Sequence, residues 1–263
     1  MTISIIGSGN MGTALVKAFL QQNLLKPKDI VVTDQSEEKL KHLQKLGVST
    51  STNNQKILKS DIILFAVKPQ SFSELAKELT KKIPKKTIII SIMAGVGITK
   101  MKKHLGHQRI IRSMPNTPAM VGEGVTGWYA DKSITGAEKK KVQALFESTG
   151  MAIEVKKETL LNDFTCLSGS GPGFFFYVFE QWLKATKELN LPSDQTAKIL
   201  AKTIQGSLKL LELSGEKPEQ LRSNVTSKGG TTEAGLEILQ KAKLENLFAK
   251  TLKAAYNRCK NLG

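Results

Sequence analysis

Apolar residues follow two regimes along this chain. Up to about residue 156, short β-branched or near-continuous apolar runs alternate with amphipathic stretches. Ile3–Ile6 and Asp29–Asp34 read as strands, and Asp61–Val67 and Thr87–Ile92 as strands buried on both faces. Val48–Ser51, Arg109–Arg112, Gly122–Tyr129 and Met151–Val155 are weaker strand candidates. Between them, Met11–Gln22 places Ala14, Leu15, Ala18 and Phe19 on one helical face. Ser36 caps a helix over Glu37–Leu46 that Gly47 closes, a short helix lies near Asn54–Lys59, and another spans Ala137–Ser148. This alternation predicts an α/β fold, a Rossmann-type doubly wound and mostly parallel sheet with helices on both faces. After Lys157 strand patterns stop. Leu160–Cys166, Phe174–Leu189, Ser193–Leu213, Thr232–Lys241 and Leu244–Lys260 carry helical periodicity. The expected division is an α/β domain over 1–157 and an all-α domain over 158–263. Phe174–Phe179 is apolar almost all round, so its helix needs cover on every side. A second copy of the chain is the expected cover, the alternative being burial within one chain.

The glycines at the end of the first strand change the picture from fold to ligand. Gly7, Gly9 and Gly12 form a complete G-x-G-x-x-G between a strand and a helix. Gly7 permits the tight turn, Gly9 lets backbone N–H groups approach a pyrophosphate, and Gly12 lets helix pack on strand. Asp34 closes the second strand, where a carboxylate accepts hydrogen bonds from an adenosine ribose. Val67-Lys68-Pro69 ends the Asp61–Val67 strand as a candidate cofactor wall, and Met93–Gly97 is a small-residue turn suited to a nicotinamide ring. A plain strand-ending turn would look the same at 67–69.

Composition narrows the setting. The 263 residues suffice for two ordinary domains, and 40% are hydrophobic. The longest apolar runs are too short to span a bilayer, which predicts no membrane association. No basic segment precedes the first strand, so no signal peptide is expected. Cys166 and Cys259 have no metal-ligand spacing; a cytoplasmic, reduced protein without a metal is the expectation. The formal charge of +16 raises nucleic acid as a partner. Against it, the basic residues are lysines except for Arg109, Arg112, Arg222 and Arg258, and they are scattered without interleaved aromatics. A solvated lysine surface is expected instead.

Two glycine-rich interruptions break the helical half: Leu167–Gly173 before the aromatic helix and Asn224–Thr232 before a helix containing Glu233. Hydroxyls and backbone N–H groups at the second helix opening suit a carboxylate; a capped loop is the plainer alternative. His42, His104 and His107 fall in polar sequence and read as surface residues.

Together, Ile6–Gly12, Ala66–Pro69, Ala94-Gly95-Val96, Met114–Pro118, Leu167–Pro172 and Val225–Thr232 resemble the pyrroline-5-carboxylate reductases over the whole chain. The last two segments are the specific ones. The resemblance implies reduction of 1-pyrroline-5-carboxylate to L-proline with NADPH or NADH. It implies pairing through the helical domain, with dimers assembling into decamers, and an active site between the nucleotide domain and helical residues that include the partner's. It places Ile6, Gly7, Ser8, Gly9, Asn10, Met11, Gly12, Ala66, Val67, Lys68 and Pro69 on the cofactor, Asn54 near its adenosine end, and Ala94 and Gly95 near the nicotinamide. It places Asn224, Ser227, Gly230, Thr231 and Thr232 around the substrate, with the Thr232 hydroxyl offered to the ring nitrogen.

Three residues depart from the resemblance. Lys228 replaces a usual proline, Gly173 stands where alanine is common, and Asp34 replaces a serine that in some relatives meets the 2′-phosphate of NADPH. A carboxylate there predicts good use of NADH. Two other readings compete: a β-hydroxyacid dehydrogenase, which would need a lysine that Phe174–Leu183 lacks, and a non-catalytic dinucleotide-binding or redox-sensing protein.

Overall fold

The computed structural model describes residues 1–261; Leu262 and Gly263, at the end of the expected helical domain, lie outside the described residues. Strands and helices alternate first. They are β1 (Ile3–Ile6), α1 (Asn10–Gln21), β2 (Ile30–Thr33), α2 (Glu37–Gln44), β3 (Ser49–Ser51) and β4 (Ile62–Phe65), then α3 (Phe72–Leu79), β5 (Ile88–Ser91), α4 (Ile98–Leu105) and β6 (Ile110–Met114). β7 (Gly124–Ala130), α5 (Gly136–Glu147) and β8 (Gly150–Glu154) complete the sheet. Helices follow: α6 (Leu160–Phe164), α7 (Gly171–Ala185), α8 (Ser193–Ser214), α9 (Pro218–Asn224), α10 (Thr231–Lys241) and α11 (Leu244–Lys260).

The eight strands form one sheet in the order β3-β2-β1-β4-β5-β6-β7-β8. All pairings are parallel except β6 with β7. Parallel strands are covered on both faces, which is why β1, β4 and β5 are buried at every position. Two apolar clusters flank the sheet. One joins Leu15, Val16 and Phe19 of α1 to Trp128 and Phe146, and the other joins Phe72, Leu75 and Leu79 of α3 to Ile98 and Met101 of α4. Local chemistry sets the helix ends: Thr135 and Glu138 make a capping box at α5, and Gly106 closes α4 at φ +64°.

The chain divides into two compact units, Met1–Pro172 with the chain from Ala254 onward, and Gly173–Lys253. The pattern change after Lys157 marks where strands stop; the compact units part later, at Gly173. α6 and the stretch after it as far as Pro172 therefore lie in the first unit. There the expected break at Leu167–Gly173 is corrected. Thr165–Gly169 is a single turn of π-helix joining α6 to α7, with Ser170 N–H bonded to Thr165 C=O at 2.8 Å. Glycine and serine tolerate the wider turn, and Asn116 Nδ2 donates to Ser168 C=O at 3.1 Å.

Candidate active site

Strand order reverses between β1 and β4, so the carboxyl ends of these strands flank the crevice where doubly wound sheets bind ligands. Ile6–Gly12 leaves β1, Asp34 follows β2, Ala66–Pro69 follows β4, and Ala94 and Gly95 follow β5. These four strands are neighbours in the sheet, and the structure brings the four segments to one edge.

The glycine turn is built by close approach. Gly7 has φ +106°, and a Cβ there would lie 2.5 Å from Ala66 C=O. A Cβ on Gly12 would lie 2.1 Å from Gly7 C=O, while one on Gly9 would meet no atom within 4 Å. Gly9 opens α1 with no side-chain cap, leaving the first N–H groups of the helix available. Asp34 reaches across to this turn. Its Oδ2 accepts Ser8 N–H at 2.8 Å and the Ser8 hydroxyl at 2.9 Å, and its Oδ1 accepts Ser36 N–H at 3.0 Å. Burial works to raise the Asp34 carboxyl, but these hydrogen bonds and nearby Lys39 outweigh it and hold the group below its ordinary value.

A cavity of about 540 Å³ opens beside the turn, lined by Ser8, Gly9, Asn10 and Thr13, by Ser36, Glu38, Lys39 and His42 of the α2 region, and by Met120. Sequence reasoning missed His42, whose Nε2 lies 3.1 Å from Thr13 Oγ1, and treated Ser36 only as a cap. The signal was present: 36, 39 and 42 recur at the helical spacing that faces the glycine turn. Asn54 opens a 3₁₀ turn after β3, and its Nδ2 donates to Glu78 of α3 at 2.9 Å.

His107 corrects another expectation. It is buried because its ring is turned to the start of β5, with Nε2 2.8 Å from the C=O of Thr87, the residue before that strand. Burial, with Arg109 nearby, pushes its pKa below the ordinary value despite the Thr87 hydrogen bond.

In the second unit, Gly230 opens α10 without a side-chain cap, and Thr231 and Thr232 occupy its first turn. Gly229 takes φ +71°, its N–H donating to Glu233 Oε2 at 2.7 Å. Gly230 N–H is already taken by Ser227 C=O at 3.0 Å, so Thr231 and Thr232 supply the N–H groups that open the helix. A Cβ on Gly230 would lie 2.4 Å from Ser227 Oγ, which packs that hydroxyl against the helix opening. Asn224 ends α9, and its side chain bonds to Glu216 and Gln220 rather than to the 227–232 loop. Lys228 is exposed. α7 extends past Leu183 to include Lys184, an exposed residue whose ammonium pairs with Glu180; that hydrogen bond raises its pKa. Among the described residues no cluster of side chains has the makings of a metal site.

Residues 158–262 match a family model described as pyrroline-5-carboxylate reductase dimerisation, and residues 2–95 match one described as NADP oxidoreductase, coenzyme F420-dependent. The pyrroline-5-carboxylate reductase of Staphylococcus epidermidis is 38% identical over 266 residues, covering 100% of this chain and 98% of the relative. The chain belongs to the pyrroline-5-carboxylate reductase family. A Staphylococcus haemolyticus pyrroline-5-carboxylate reductase is also 38% identical, over 98% of this chain and 96% of its own length. Among solved structures, the Coxiella burnetii pyrroline-5-carboxylate reductase matches with TM-score 0.91 and 33% identity, covering 100% of this chain and 98% of that one. The Plasmodium falciparum pyrroline carboxylate reductase, solved with NADP bound, matches with TM-score 0.90 and 27% identity over the same shares.

The dinucleotide suits the residues present. Gly9 is open where a side chain would obstruct, α1 is uncapped, and Ser8 is fixed by Asp34 beside a cavity large enough for part of such a ligand.

Proposed function

We propose that this chain reduces 1-pyrroline-5-carboxylate to L-proline with NAD(P)H, the last step of proline biosynthesis. The observation that carries the reading is the full-length relationship to the pyrroline-5-carboxylate reductases, helical half included. The dinucleotide, when bound, supplies the hydride. Residues 1–157 act as the nucleotide-binding domain and 158–263 as the substrate-binding and dimerisation domain. Ile6–Gly12, Asp34, Asn54, Ala66–Pro69 and Ala94-Gly95 hold the cofactor. Asn224, Ser227, Gly230, Thr231 and Thr232 surround the substrate. The N–H groups of Thr231 and Thr232 take the carboxylate at the positive end of α10. The Thr232 hydroxyl bonds the ring nitrogen, whose protonated form accepts hydride most readily.

The decisive assay follows oxidation of NADH and NADPH with 1-pyrroline-5-carboxylate and, as a control, reduction of NAD+ and NADP+ with a 3-hydroxy acid. Activity with the imino acid alone supports the reading; turnover of the hydroxy acid, or of neither, overturns it. The ionised Asp34 carboxylate favours a ribose without a 2′-phosphate, so kcat/KM with NADH should equal or exceed that with NADPH. A large NADPH preference would refute the Asp34 argument.

The family's dimerisation segment supports a homodimer, and we extend this to decamers built of five dimers, which light scattering of the purified chain tests. No described helix is long and apolar enough to cross a membrane; a cytoplasmic enzyme binding neither membrane nor nucleic acid is the matching proposal. Fractionation and a nucleic-acid shift assay check it.

A further inference from the structure

We infer that Glu158 is a positioning residue for the turn that meets the nicotinamide, acting through the N-terminus of α4 and the buried guanidinium of Arg112. The inference rests on the proposed placement of the cofactor's nicotinamide end at Ala94-Gly95.

Four observations converge on this carboxylate. Its Oε1 accepts the N–H of Ile98, the first residue of α4, at 2.9 Å. The same oxygen accepts from Arg112 Nη1 at 3.3 Å. Arg112 lies on β6 and is 5% exposed; its Nε and Nη2 are buried with no hydrogen-bond partner. Finally, a Cβ on Gly97 would stand 3.3 Å from Glu158 Oε1, so the carboxylate is seated directly against the residue that opens the helix.

The Met93–Gly97 turn is short, and Gly95 within it has φ +75°. One end is fixed by β5, whose Ser91 pairs in register with Arg112. The other end is the start of α4, and Glu158 holds it. A carboxylate there satisfies an orphan helix N–H, complements the positive helix end and neutralises a buried guanidinium at once. Glu158 comes from the stretch between β8 and α6, far from the turn in sequence, so no local motif announces the contact. Its removal would leave the guanidinium without its partner and the end of the turn free to shift. Small displacements of a hydride donor's support are costly to rate, since reacting atoms must hold close alignment.

The test compares the wild-type enzyme with Glu158→Ala, Glu158→Gln and Gly97→Ala. It measures kcat with 1-pyrroline-5-carboxylate, the primary isotope effect with NADH deuterated at the transferred position, and affinities for NADH and ADP-ribose. Glu158→Ala should lower kcat on the order of tenfold and raise the isotope effect, with ADP-ribose affinity changed less than about twofold. Glu158→Gln, which keeps an oxygen for Ile98 N–H, should recover most of the rate. Gly97→Ala crowds the carboxylate from the other side and should give the same signature; it serves where Glu158→Ala does not fold. Unchanged kcat in both alanine variants, or parallel loss of NADH and ADP-ribose affinity, would overturn the inference. Wild-type enzyme inactive on the imino acid would instead overturn the functional reading on which it rests.

Discussion

A methyl group added at Gly9 would meet open space, whereas one added three residues later at Gly12 would collide with the Gly7 carbonyl. The two positions therefore separate binding from folding. Gly9→Ala is expected to keep its melting temperature within a degree or two while weakening NADH binding about tenfold or more, as read by fluorescence titration. Gly12→Ala should lose about 3 kcal/mol of stability in a denaturant titration, because helix α1 must move off β1. In the proposed role of Thr232, Thr232→Ala takes away a hydrogen bond to the reacting nitrogen; kcat should fall about tenfold or more, with NADH affinity nearly unchanged. His107 gives a pH test. Its folded pKa lies below its unfolded value of about 6.5, so the unfolded chain binds the extra proton first. Its contribution to stability is complete above that value and is lost as pH falls from about 6.5 toward the folded pKa. In His107→Gln, the fall in melting temperature between pH 7 and 5 should be shallower than in wild type. The histidine escaped sequence reasoning because its neighbours Gly106, Gln108 and Arg109 are polar or small, and only its contact with Thr87, distant in sequence, buries it.

Among the elements, those with a long period were legible and those shaped by neighbours were not. β1, β4 and β5 stand out as apolar runs, and α8 and α11 as long amphipathic helices opening at the expected residues. α3, α4 and the seven-residue α9 went unnoticed, since each is short and rich in charged residues. Leu167–Gly169, the latter part of the π turn, read as an interruption because its partner Asn116 is distant in sequence. The two donors on Asn116 and Ser8 show the same limit: the motifs were visible, their meeting points were not. α7 was legible for a physical reason. It buries no residue within its own chain, and Phe175, Phe176 and Phe179 line an apolar groove of about 700 Å³ with residues of α8. Phe176→Asp should convert the dimer to monomer by light scattering at micromolar concentration, without loss of secondary structure by circular dichroism.

At the scale of the molecule, the alternation of strands and helices gave the parallel sheet, and the glycine turn located its switch point. The antiparallel β7 was not legible, because the two prolines and turn residues between Met114 and Gly124 mark a change of direction without stating its sense. The helical half was less readable still. Its polar residues could be named from the resemblance, but the N–H of Gly230 proved to be spent on Ser227, and Asn224 is turned to its own helical hairpin. The same sheet edge has a kinetic consequence. Ser8 is stapled to Asp34 by two hydrogen bonds within the chain itself, so the glycine turn after β1 holds its shape before any nucleotide arrives. Capture should then need no slow rearrangement after encounter. In stopped-flow mixing, the NADH signal should rise as a single exponential whose rate climbs linearly with concentration; a plateau would reveal a loop that has to be remade each time.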